Sequence, residues 1–519
     1  MADLFIIEAA GKIKSLSKTI LSITGQKAEI LATLGHICSN PEGLKTDWID
    51  TQFNEKHYGV IERKKEIVER IRLAAKVANN IYIATDDDHE GDVIARDVLT
   101  HCINLDDHQK TLRVRLRALT VAEVKNSINA ASQIGELDAA RGDARRIIDR
   151  LIGGLSNDDG AVGRVQGSLL LMLSQYTPIV GMNCYALPAA DGRGNFTAFS
   201  PVYADDAIDT EVINELSNLA PLLVTQTHSA TVASGVYNYG DVLLNGSLAT
   251  GRSVAEIADA MQRLYERGEM TYPRAANRAV TGDTVSRIAR IARLHGTTFN
   301  SDKFAFCRSI SGAYGHEAPS PLLLDFPLNR DLNAVDIDTA VLSTITRNLI
   351  SNGIPCLIER PDVCELPPSV SHLLWHRTTA EGQLYWDNKV AAGFTPWTAE
   401  QSTLHFMMSH DLGRPSTLVS HIEKFLERNL VDDNFEFTRN GREWCYNIGE
   451  IFHQRNISNL VEQYLNETCL NPQDMVAEMI NLCGLTALNK GGVGQDNVID
   501  TTTTQQEYEE NADTGICTN

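Results

Sequence analysis

The chain has no Cys-x-x-Cys pair, and its ten cysteines stand singly from Cys38 to Cys517. That argues against a zinc ribbon, so no zinc is expected. Isolated thiols read as reduced, mostly buried side chains of a cytoplasmic protein. No apolar run approaches the roughly 20 residues that cross a bilayer, so no membrane association is expected. Met1 to Ile7 has no basic stretch followed by a long apolar one, which argues against a signal peptide and for the cytoplasm. A phosphate-cradling Gly-x-x-x-x-Gly-Lys-[Ser/Thr] loop is missing too, since Gly11-Lys12 lacks the earlier glycine. Positive charge is scarce: 46 Lys and Arg stand against 67 Asp and Glu, for a net charge of −21. That speaks against nucleic-acid binding over the whole surface but leaves room for a local basic groove. After Lys490 there is no Lys or Arg at all, and 491–519 reads as an acidic disordered tail.

What is present is enough chain for several domains, at 519 residues. Leu4–Ile7 is a short apolar strand, followed by Glu8, Gly11-Lys12 and a helix to about Leu21. Residues 62–79 have the pattern of a charged amphipathic helix. Ile81–Thr85 is a second buried strand, and Val93–Cys102 is helical. Strand, turn and helix in alternation predict a parallel α/β sheet. Ligands sit at the carboxyl ends of such strands, so Glu8, Asp86 and Asp88 would share one edge. Further on, 138–155 reads as helix and 186–250 as β-rich, with turn signals at Asp191-Gly192 and Tyr239-Gly240. A helix over 253–268 ends at Gly268, a second β-like stretch covers about 355–400, and a helix runs from Ser416 to Arg428. Three arginine groups are prominent: Arg113, Arg115 and Arg117 at strand spacing, then Arg141, Arg145, Arg146 and Arg150, and Arg287, Arg290 and Arg293, near helical spacing. Each is either a solvated face or a set of phosphate contacts.

Two features carry chemistry. Asp86-Asp87-Asp88-His89-Glu90-Gly91 follows the second strand. Carboxylates gathered there suit Mg²⁺, a hard cation that prefers carboxylate and phosphate oxygens. Without a cation they would repel one another and raise their pKa values. Thr271-Tyr272-Pro273-Arg274 places a phenol two residues from a guanidinium. Such a tyrosine can attack a phosphodiester while the arginine braces the phosphate. Together the two features suggest an enzyme that cuts and reseals nucleic acid through a tyrosyl intermediate.

At these residues the sequence resembles a known family. Glu8 with Gly11-Lys12, Leu34-Gly35-His36-Ile37 and Thr85–Gly91 resemble a Toprim metal site. Asp143–Gly153, Gly163-Arg164-Val165-Gln166, Gln262–Gly268 leading into Thr271–Arg274, His316-Glu317-Ala318 and Leu412–Thr417 resemble, in the same order, the type IA DNA topoisomerases. The likeness covers about residues 4–430 and implies a compact, divergent member without C-terminal zinc ribbons.

The resemblance implies a multidomain fold of α/β, α and β parts: an N-terminal Toprim α/β domain, helical winged-helix-like gate domains and a β-rich arch, forming a torus. The implied pieces are a Toprim domain at 1–137 with a short insertion near 38–61; a helical DNA-binding domain at 138–185 and 408–490; an arch at 186–250 and 345–407; and a gate at 251–344. It implies Tyr272 as nucleophile and Arg274 as phosphate stabiliser. Lys12 would protonate or neutralise the leaving oxygen, with help from Glu8. Asp86 and Asp88, with Glu8 or Glu90, would hold Mg²⁺. DNA contacts fall on His316, Arg146, Asp149, Arg164, Gln166, Gln262, Glu266, Arg414 and Thr417. The implied partners are single-stranded and negatively supercoiled DNA, with RNA open as an alternative, and the implied state is a monomer needing no ATP. The site would be cytoplasmic, at the nucleoid if bacterial.

The chain departs from the family in places. Ala9-Ala10-Gly11 stands where the family usually has Ser-Pro-Ala before the lysine, and His89 takes the place of the usual basic residue. Pro273 replaces a usual Met or Ser-like residue. Ala275-Ala276-Asn277 stands for Thr-Asp-Ser, and Ser320 for an arginine. Because Glu8, Lys12, Asp86, Asp88, Glu90, Tyr272 and Arg274 all remain, an active enzyme is expected. The alternatives are another Toprim enzyme, such as a primase or nuclease, or a weak or inert topoisomerase-like protein that binds DNA or regulates.

Overall fold

A computed structural model describes residues 2–485, except 117–118, 156–161, 207–211, 213–214, 217, 232–234, 305–315, 329 and 381–391. Arg117 and the acidic tail at 491–519 therefore lie outside the described residues.

The amino-terminal part is a parallel sheet. Its strands are β1 (Leu4–Ile7), β2 (Glu29–Ala32), β5 (Ile81–Ile83) and β6 (Thr111–Arg113), in the order β2-β1-β5-β6. All three pairings are parallel, with Leu4 opposite both Glu29 and Ile81. The period-2 rule explains why β1 is apolar throughout. Leu4 and Ile6 enter a core with Val68, Ile71 and Val98, whereas Phe5 and Ile7 enter another with Leu16 and Ile20. The first core is covered by α2 (Lys65–Val77) and α3 (His89–Cys102), the second by α1 (Ile13–Thr24) and α4 (Val121–Asn129). A two-stranded ribbon, β3 (Cys38–Ser39) with β4 (Gly59–Val60), bounds the insertion. The insertion buries Trp48 in the large helical core and so ties the sheet domain to α5 (Ala140–Leu155) and α6 (Arg164–Leu173).

Two antiparallel sheets follow. One has the order β12 (Gly393–Pro396), β7 (Ile179–Pro188), β8 (Asn195–Tyr203); the other has β11 (Arg377–Ala380), β10 (Pro355–Pro361), β9 (Val224–Thr231). A bridge between Thr197 and His376 joins them over a core containing Tyr185, Phe196 and Trp375.

The β-rich reading of 186–250 and 355–400 needs correction at its edges. Tyr239–Thr250 is a helix, closed by a capping box between Asn238 and Asp241 and ended by Gly251 at φ 65°. Ala399–Ser409 is likewise a helix, with a Thr398–Gln401 capping box, and residues 345–351 finish the helix Ile337–Ser351. The reciprocal caps of the first two helices, and the Asp336 side chain accepting from Thr339 N–H in the third, satisfy free N–H groups and favour helix over strand. Among the described residues no helix is long and apolar enough to cross a membrane.

Candidate active site

The carboxyl edge of the parallel sheet gathers the first group of residues. Glu8 leaves β1, and the Asp86–Asp88 turn leaves β5 for α3. Asp88 caps that helix, accepting from Gly91 N–H at 2.7 Å. Only glycine fits at 91, because a Cβ there would stand 2.1 Å from the Asp86 carbonyl oxygen. Arg113 supports the turn from behind, donating to the carbonyls of Ile83, Thr85, Asp86 and Val114 and to Asp92. Arg115 pairs with Asp92 at 3.1 Å and Asp87 at 3.3 Å. Arg113 is buried and Arg115 is only partly exposed, so neither is simply a solvated face. Each meets buried carboxylates at the end of its strand, which sequence spacing cannot reveal.

Lys12 is 2% exposed, ion-paired to Asp86, and 4.5 Å above the Tyr265 ring. Burial is the largest influence and opposes its charge, but Asp86, Tyr265 and Glu8 together raise its pKa. Glu8 is pushed up to about 7 by burial and by the charges of Asp86 and Asp88. Asp88 is raised by the same causes, burial first and Asp86 second.

Tyr272 comes to this edge from the other half of the chain. It is 3% exposed, and its hydroxyl donates to Asp88 Oδ2 at 3.1 Å. Its ring stacks on His316 at 4.2 Å and meets Tyr265 edge-on at 5.5 Å. Burial, then Asp88 and Asp86, hold the phenol well above its usual pKa. His316 Nε2 donates to the Asp87 carbonyl at 2.9 Å, while its buried Nδ1 has no hydrogen-bond partner among the described residues. Burial lowers the pKa of that imidazole.

A cleft of about 570 Å³ opens beside the phenol. Its walls are Asp87–Glu90, Tyr272 with Arg274–Asn277 and His316, the loop at 411–416, and one face of the helix Ile457–Glu467. That last helix bears Glu462, which sequence reasoning missed. Its carboxylate accepts from Arg145 at 3.2 Å, Arg164 at 3.0 Å and Arg414 at 2.7 Å. The arginine partners lie 48 to 317 positions away in sequence, so no local spacing signalled it.

The remaining expected contacts divide into two groups. Glu90 and Arg414 line the cleft with Tyr272, Arg274 and His316. Glu90 also bonds His36 at 2.9 Å. Arg146, Asp149, Arg164 and Gln166 sit in the wall behind it with intramolecular partners. Arg146 pairs with Glu55 and Asp143 and lies 3.9 Å over the Tyr58 ring. Asp149 accepts from buried Arg164 at 2.7 Å. Gln166 donates to the His421 carbonyl at 2.7 Å. Arg150 likewise turns inward, onto the Glu42 carbonyl and over Trp48. Gln262 donates to Glu266 at 2.9 Å along one helix, and the Glu266 carboxylate closes over Gly11 where a Cβ would meet it at 2.1 Å. Thr417 is exposed at the start of the helix Leu418–Glu427.

Among the described residues no three His, Cys, Asp or Glu side chains form a ready-made metal cage. The donor set still fits Mg²⁺. Burial first, and then neighbouring negative charge, raise the pKa values of Glu8 and Asp88, and Lys12 offsets only part of that charge at Glu8. Mg²⁺ sites use one or two protein carboxylates and take other ligands from water and phosphate.

Residues 3–119 match the Toprim domain family. A DNA topoisomerase I of a plasmid of Xylella fastidiosa is 25% identical over 346 residues, 61% of this chain and 51% of that protein. DNA topoisomerase 1 of Aquifex aeolicus is 26% identical over 290 residues, 52% of each. The chain spans about half the length of these curated relatives. The fold matches full-length topoisomerase I from Thermotoga maritima with a TM-score of 0.64 at 19% identity, covering 94% of this chain and 91% of that one. The chain is thus a Toprim-domain protein of mixed α/β architecture. Its resemblance to the type IA DNA topoisomerases holds on the domain, the relatives and the fold together.

Proposed function

We propose that the chain is an ATP-independent type IA DNA topoisomerase that breaks one strand through a 5′-phosphotyrosine, passes a strand and reseals. The observation that carries this reading is the contact of Tyr272 with Asp88, which joins a phenol to an acidic sheet edge from 184 positions away. In the forward step the Tyr272 oxygen bonds to phosphorus and the P–O3′ bond breaks. The phenol's proton passes to Asp88, the acceptor it already touches. Lys12, protonated and held by Asp86, gives a proton to the leaving 3′-oxygen or neutralises it, and Glu8 can resupply that proton. Arg274 steadies charge on the transferring phosphate. Asp86 and Asp88, with Glu8 or Glu90, would hold Mg²⁺, which supplies positive charge where the 3′-hydroxyl must sit for resealing. One phosphodiester replaces another of similar energy, so no nucleotide is consumed.

The substrate in this reading is single-stranded or negatively supercoiled DNA, with decatenation and an RNA substrate as open variants. The enzyme acts as a monomer in the cytoplasm. The test is to mix the chain with an end-labelled oligodeoxynucleotide, denature it and map the adduct. A covalent 5′-phosphate on Tyr272 is expected. No adduct on any tyrosine, with folded protein and Mg²⁺ present, would overturn the reading.

A further inference from the structure

We propose that His89 is a positioning residue that holds Arg414, with Arg145 braced behind it, in a phosphate-receiving wall of the cleft, through an acceptor nitrogen and not through positive charge. This rests on the nucleic-acid reading above. A guanidinium has donors only. Arg414 Nη2 stands 2.9 Å from His89 Nδ1, and Arg145 Nη2 stands 3.2 Å from the same nitrogen. Nδ1 must therefore present its lone pair to both cations.

Glu462 grips the same two side chains from the other direction, taking Arg414 Nε at 2.7 Å and Arg145 Nη2 at 3.2 Å. Each guanidinium is thus fixed by an acceptor on the acidic turn and an acceptor on the helix Ile457–Glu467. Arg145 is 95% buried by its 5% exposure, yet its Nε and Nη1 have no hydrogen-bond partner among the described residues. The nearest carboxylate to Nη1 is Glu90, at 3.8 Å. Arg414 lines the cleft, and a guanidinium oriented by two acceptors suits a phosphodiester oxygen, with buried Arg145 bracing it from behind. His89 directly follows Asp88, so this wall begins beside the phenol of Tyr272.

The chain-specific consequence concerns the basic residue that the family usually has at this position. A cation at 89 would face Arg145 and Arg414, whose nearest carboxylates are Glu462, shared with Arg164, and the more distant Glu90. Like charges at hydrogen-bond range in a partly buried site would drive the arginines apart. Adding positive charge here should weaken DNA binding, the reverse of the bulk electrostatic expectation.

The experiment measures binding of a fluorescent single-stranded oligodeoxynucleotide across a salt series, alongside plasmid relaxation. It uses the full chain and its His89→Asn, His89→Ala and His89→Arg variants. Asparagine offers an acceptor oxygen near the place of Nδ1 and should bind within about threefold of the native chain. Arginine should bind roughly tenfold or more weakly, with alanine between, because charge-assisted hydrogen bonds are lost. The salt slope should flatten for arginine as phosphate contacts disappear. Equal or tighter binding by His89→Arg would overturn the proposal while leaving the topoisomerase reading intact. If His89→Arg does not fold, equal binding by the asparagine and alanine variants overturns it. Failure of the native chain both to bind and to relax DNA would overturn proposal and reading together.

Discussion

Tyr272 is buried, hydrogen-bonded and held protonated, the opposite of an activated nucleophile in isolation. In the proposed reaction its activation would depend on the acidic edge it touches, and Glu8 gives the charge of that edge a measurable sign. Burial and the charges of Asp86 and Asp88 raise Glu8 from 4.5 to about 7. A carboxyl raised on folding binds more protons folded than unfolded between those values. Stability therefore falls as pH rises from about 4.5 to 7 and stays reduced above that window. Glu8→Gln should remove this slope. In chelator-treated protein, thermal unfolding should show the variant more stable than the native chain above pH 7 by at least about 1 kcal/mol. Below about pH 4.5 the difference should vanish. Parallel curves at all pH values would mean that Glu8 does not carry this strain. The candidate chemistry at this scale was legible in sequence because each group sits in a short motif beside a strand end or a helix end. The roles of Arg113 and Glu462 were not legible, since their partners are tertiary: the Ile83, Thr85 and Asp86 carbonyls of the neighbouring parallel strand and its turn for one, three arginines from separate segments for the other.

At the scale of elements, β1 and β5 were readable because they are apolar on both faces, as a covered parallel sheet requires. The helix Tyr239–Thr250 was misread, although Asn238 and Asp241 form a capping box that was visible in the sequence. The insertion at 38–61 was seen only as an interruption, yet it staples the sheet domain to the helical core. Trp48 is fully buried there, Arg150 lies over its ring at 4.5 Å, and its indole N–H donates to the Leu44 carbonyl. Trp48→Ala should cost about 3–5 kcal/mol in denaturant unfolding, the usual range for deleting a large core aromatic. It should also lower relaxation more than binding, because the staple fixes the acidic turn relative to α5. A stability loss below about 1 kcal/mol would show that the insertion is not a structural staple.

The whole molecule brings five segments to one cleft: the turn after β5, the Tyr272 loop, His316, the loop at 411–416 and the helix Ile457–Glu467. In a chain of net charge −21, the cleft lining itself sets Arg274 and Arg414 among the carboxylates of Asp87, Asp88, Glu90, Asp411 and Glu462. In the proposed reading a nucleic-acid strand would need Mg²⁺ at those carboxylates, besides the two arginines, to offset the negative charge. The order of segments around the cleft was not readable from spacing alone; only the collinear family motifs anticipated it. The most direct test is relaxation of negatively supercoiled plasmid with Mg²⁺ and without ATP, comparing the native chain with Tyr272→Phe. The account predicts a ladder of topoisomers from the native chain and none from the variant. Absence of relaxation by folded native protein at low salt, or equal relaxation by Tyr272→Phe, would contradict it.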